Sequence, residues 1–112
     1  MQLYNELDNR MRLLDQAVKE LRSRGNELAE AEREYKVALA KAILEERSKG
    51  TPVTIMGDLC RGRADIATLR FQRDCAKVLY RSALEYIQTV KLELKLLENQ
   101  ICREWGQAKN MV

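Results

Sequence analysis

The chain contains no histidine, so the side chain that most often moves protons or binds metals near neutral pH is absent. Zinc would have to rely on thiolates and carboxylates alone. Cys60, Cys75 and Cys102 lie fifteen and twenty-seven residues apart and form no paired ligand spacing. An odd, scattered set of cysteines also argues against a disulfide framework and for a reducing cytoplasm. Cys75 flanks an apolar series and Cys102 follows Ile101, so both read as small packed hydrophobes. Cys60, in a connecting segment, is the candidate reactive thiol. Glu30 and Glu34 stand i,i+4 on one helix face, like half of a dinuclear carboxylate site. Bundles of that kind add a Glu-x-x-His motif that this chain lacks, so a solvated surface is the better reading. Gly57 and Gly62 flank Asp58-Leu59-Cys60-Arg61 without the following Lys-Ser/Thr of a phosphate loop. These residues point to a protein that is not an enzyme and has no cofactor or metal.

Charge is the next chemical feature. Residues 1–50 hold ten basic and ten acidic side chains, whereas residues 51–112 hold ten and seven, so the net charge of +3 arises in the second half. Much of it is Arg61, Arg63, Arg70, Arg73, Lys77 and Arg81, set against Asp65 and Asp74. Such an excess attracts an acidic protein surface or phosphates, and solvated basic faces are common. The stretch Thr54–Gln72 has the outline of a helix-turn-helix. With Gly62 at the turn, Arg61 and Asp58 fall where buried small or apolar side chains are needed. With Gly57 there, Pro52 falls inside the first helix. Neither register works.

The elements that position these residues follow from periodicity. Leu7, Leu14, Leu21 and Leu28 recur every seven residues, and Tyr35 and Ala42 extend the series. Read as heptad d positions, they pair with Tyr4, Met11, Val18 and Leu39 at a, where Gly25 and Glu32 are misfits. The pattern predicts one helix over residues 2–48. Gly50 suits a left-handed helix terminus, and Thr51-Pro52 reads as an N-cap followed by proline at the first helical position. A short helix within residues 50–62 follows, broken by Gly62. Residues 63–108 then carry a second ladder: Ile66, Tyr80, Ile87, Leu94, Ile101 and Ala108 at a, with Arg73 the misfit, and Leu69, Ala76, Ala83, Val90 and Leu97 at d. The two ladders meeting lengthwise predict a single all-α domain, an antiparallel, coiled-coil-like helical hairpin with a short helical turn at its tip. A charge at Leu14 or Ile87 is then expected to destabilise severely.

The second helix is also apolar away from its seam, at Phe71, Val78, Leu79, Leu84, Tyr86, Leu92, Leu96 and Trp105. One neighbouring helix covers a narrower stripe than this, so a further layer is expected, most simply a second copy forming a helical bundle as a homodimer. No apolar run approaches the length of about 18 residues needed for a membrane helix, and the first ten residues lack the pattern of a secretory signal. Val53, Ile55, Met56 and Leu59 at the reversal either cap the hairpin core or form an apolar patch with a rim of Arg61 and Arg63.

Three stretches, YKVALAKAILEE (35–46), EERSKGTPVTIMGDLCRGRADIATLRFQRD (45–74) and LLENQICREWG (96–106), carry a resemblance. They resemble a group of small helical proteins encoded in early or replication-proximal regions of phages and prophages of Gram-positive bacteria. The resemblance spans about two thirds of the chain and implies a setting, the bacterial cytoplasm, without assigning catalytic or binding residues. Together with the apolar surplus it gives the expected function: a non-catalytic adaptor or inhibitor that binds a host or phage protein. The expected contact residues are Val53, Ile55, Met56, Arg61, Arg63, Arg70 and Arg73. Two other readings stand beside it, a nucleic-acid-binding accessory protein using residues 61–81 and a structural self-assembly protein.

Overall fold

A computed structural model describes residues 2–110, with side chains described as far as Gln107. Helix α1 spans Gln2–Ser48, α2 spans Val53–Arg61 and α3 spans Ala64–Asn110, with no strand among the described residues. The chain is an all-α helical hairpin in which α1 and α3 pack against each other. No helix among the described residues is long and apolar enough to cross a membrane.

The reversal after α1 is a Schellman arrangement. Gly50 takes φ 79°, its N–H donates to the Arg47 carbonyl at 3.1 Å, and the Thr51 N–H donates to the Glu46 carbonyl at 3.2 Å. The left-handed φ explains the glycine. Thr51, expected to cap α2, does not. Pro52 occupies the N-cap without any side-chain cap bond, and the Thr51 hydroxyl donates instead to Glu46 Oε2 at 2.8 Å. Gly62 ends α2 with φ −81° and ψ −10°, and α3 starts immediately afterwards.

Two compact units make up the packing. One is Ser23–Tyr80 and contains all of α2 with parts of both long helices. Its core is a buried cluster of Tyr35, Ala42, Met56, Cys60 and Ile66, against which Ala38, Leu39, Ile43 and Leu69 pack. Met56 and Cys60 sit four apart on one face of α2, so this short helix closes the core as a third layer. The other unit joins the chain up to Arg22 with the chain from Arg81 onward. It has only two helices, and its fully buried side chains are Ala17, Ile87 and Val90. Leu7, Leu14, Leu21, Leu94 and Ile101 are half-buried.

The ladder of α3 sits as its heptad predicts, with Ile66, Ile87 and Val90 buried and Leu69, Arg73, Ala76, Tyr80, Ala83, Leu94, Leu97 and Ile101 half-buried. Ala108 lies outside the residues whose side chains are described. In α1 the Leu7 series and Tyr35 face inward, and of their expected companions Val18 and Leu39 are half-buried, but towards the start of the helix the inward face is shifted by one residue. Tyr4 and Met11 are exposed, whereas Leu3 and Arg10 are half-buried and Ala17 is buried. The inward companions are short alanines and the alkyl stems of arginines, which a count of apolar residues overlooks.

Two of the three seam misfits, Gly25 and Arg73, lie beside aromatic rings. A Cβ on Gly25 would lie 3.5 Å from the Tyr80 ring, an ordinary contact distance, so the position sits beside a large neighbour without requiring a glycine. The Arg73 guanidinium lies 4.7 Å from the centroid of the Tyr35 ring, a cation–π contact that accounts for a charge at a seam position.

Candidate functional site

The features that could engage a ligand or partner gather in the three-helix unit. With Met56 and Cys60 turned inward, the 3.6-residue period of α2 turns Ile55 and Leu59 away from the core, whereas Val53 shares the Met56–Cys60 face but stands at the start of the helix. All three are exposed, Val53 to 81%. Met56, expected among the contact residues, is 5% exposed and belongs to the core. Cys60, singled out as the thiol to test for reactivity, has no exposure at all, because α2 docks through the face that carries it, and it is a packing element. Cys75 and Cys102, expected to be packed, are exposed.

The arginines divide into those tied down and those that reach outward. Arg63 donates to Glu45 Oε2 at 2.9 Å and grips Asp65 through Nε at 3.3 Å and Nη2 at 3.0 Å. It thereby links the end of α1 to the start of α3. Asp65 also accepts the Ile66 N–H at 2.9 Å, which helps start α3. The Arg63 bonds hold the Asp65 carboxyl below its ordinary range, and Glu45 and then Asp65 raise the Arg63 guanidinium further still. Arg73 donates to Asp74 Oδ1 at 2.8 Å as it covers Tyr35. Arg61 has a longer contact to Asp58, 3.5 Å, and its guanidinium covers Gly57. Arg70 is exposed and makes no ion pair among the described residues. Of the four arginines expected to meet a partner, Arg63 and Arg73 already have structural duties, and Arg70 is the most available.

Carboxylates around the reversal are similarly engaged. The Thr51 hydroxyl, helped by Lys49, outweighs desolvation and holds Glu46 below its ordinary range. Arg73 does the same for Asp74, with Arg70 and Lys77 adding to the effect. No group of three His, Cys, Asp or Glu among the described residues is placed to hold a metal ion.

One surface feature was visible in the sequence but was read only as the place for a further layer. Phe71, Cys75, Val78 and Leu79 are exposed on the outer face of α3 and line an open groove with Asp74. Their spacing of four, seven and eight residues from Phe71 is that of one helix face. The two-helix unit has its own exposed side chains, with Tyr4 and Trp105 beside Leu3, Ile101, Glu6 and Glu104 in a second open groove. No family model, curated protein or solved structure matches this chain.

Proposed function

We propose that this chain is a non-catalytic protein-interaction module, a phage-type adaptor or inhibitor that binds a host or phage protein in the bacterial cytoplasm. The observation that carries this reading is α2. Its inner face is locked into the core by Met56 and Cys60, while Ile55 and Leu59 on its other side and Val53 at its first position are open to solvent. An apolar patch on a rigid support loses little freedom on binding, which is the physical requirement for a contact surface.

Nucleic-acid binding draws less support. Arg61, Arg63 and Arg73 are each beside a carboxylate, so the basic segment is partly neutralised within the chain. Phosphate binding depends on cations that can replace counterions.

The test is a photo-reactive amino acid at Val53, with the chain expressed in bacterial cells carrying the phage. A discrete adduct with one other protein, competed away by unlabelled chain, is the expected result. Adducts only with further copies would favour the self-assembly reading, and no adduct at all would overturn the proposal. A labelled oligonucleotide is expected to show no shift at low salt.

A further inference from the structure

Resting on the interaction reading, we propose that the outer face of α3 over residues 70–79 is a docking site for an acidic-edged amphipathic helix of another protein. Phe71 is 67% exposed and Val78 60%, with Cys75 and Leu79 between and beside them. The stripe runs about three helical turns, or roughly 15 Å, the length over which a docked helix places anchors at i, i+3 or i+4, and i+7.

Charge selects the occupant. Arg70 and Lys77, seven residues apart, lie along one edge of the stripe, with Asp74 between them in sequence. Asp74 is already bonded by Arg73 at 2.8 Å and feels Arg70 and Lys77 as well. Arg73 answers Asp74 from the seam side, so Arg70 and Lys77 leave this edge positive. A partner helix with glutamate or aspartate beside its apolar seam complements it, and like charge opposes a basic one. The same edge disfavours a second copy of the chain. An antiparallel two-fold pairing of this face with itself sets Arg70 and Lys77 against Arg70 and Lys77.

The test uses the full chain and two fluorescein-labelled synthetic helical peptides that share a leucine seam. One has glutamate flanks and the other lysine flanks. Fluorescence anisotropy at low salt is expected to give the glutamate peptide a Kd at least about tenfold lower, with the difference shrinking as salt screens it. Phe71→Ser with Val78→Ser is expected to remove binding while leaving the circular-dichroism melt unchanged, because both side chains are exposed. Arg70→Glu with Lys77→Glu is expected to invert the preference. Equal binding of the two peptides, no binding, or binding indifferent to the serine pair overturns the proposal. So does sedimentation showing a dimer that the serine pair converts to monomer, since the occupant is then a second copy. If the Val53 cross-link still captures a protein while neither peptide binds, the interaction reading stands and this site alone falls.

Discussion

The unit of residues 23–80 and the unit built from the two chain ends use the same α1 and α3, yet they bury their ladders to different depths. In the first, α2 adds a third wall, and Tyr35, Ala42, Met56, Cys60 and Ile66 are sealed together. In the second, only Ala17, Ile87 and Val90 are buried, and the leucines of the ladder stay half wet. Two helices leave most of their shared ladder only half-covered among the described residues, and nine residues of a third seal a larger cluster. The lesson is that a strong heptad marks where helices meet, while depth of burial depends on how many walls the site has.

The sharpest way to break this comparison is to place a charge in each ladder. Ile66→Asp should cost about 4 kcal/mol or more in urea unfolding, since an unpaired carboxylate would sit in a sealed cluster. Ile87→Asp, at one of the buried positions of the two-helix unit, should follow closely. Leu14→Lys, which the heptad alone marks as severe, should cost only about 1 kcal/mol, because a lysine at a half-buried position can extend its ammonium to water. Equal losses at residues 14 and 66 would contradict the difference in walls.

Smaller effects sharpen the same contrast. Arg73→Ala should lower stability by about 1 kcal/mol through loss of its contact with Tyr35, a loss that Arg73→Lys should only partly restore. Gly25→Ala should raise the urea midpoint by the equivalent of about 0.5–1 kcal/mol, because the new methyl meets the Tyr80 ring at ordinary distance and helix propensity improves.

Acid should loosen the three-helix unit. Glu46, Asp65 and Asp74 have ordinary values of 4.5, 3.8 and 3.8, and all three are lowered in the folded chain. Folding therefore gains from their ionised forms above about pH 5 and loses that gain as the pH falls through the lowered values. Amide exchange over Glu45–Asp74, followed from pH 6 to pH 3 and corrected for intrinsic rates, should show falling protection. Rising protection would reverse the sign of the assignment.

Much of this architecture was legible in the residues. The spacing of Ile66, Ile87 and Val90 set the inward face of α3, and Gly50 marked the reversal. What escaped was packing chemistry that hydrophobicity does not encode. Arg10 turns inward where Met11 looks more apolar, because its flexible stem can lie along α3. Arg73 looks like a defect until Tyr35 is placed beneath its guanidinium. Thr51 was read as a cap because its neighbour is proline, whereas its hydroxyl goes to Glu46. For the candidate surface, Val53, Ile55 and the stripe from Phe71 to Leu79 could be named in advance. That Met56 and Cys60 turn inward required the docking of α2.

Native-state hydrogen exchange resolved by residue tests the comparison most directly. Amides flanking Tyr35, Cys60 and Ile66 should exchange at least about tenfold more slowly, after correction for intrinsic rates, than those flanking Leu7, Leu14 and Leu94. Equal protection in both sets, or slower exchange at the leucines, would contradict the claim that α2 makes residues 23–80 the more firmly packed unit.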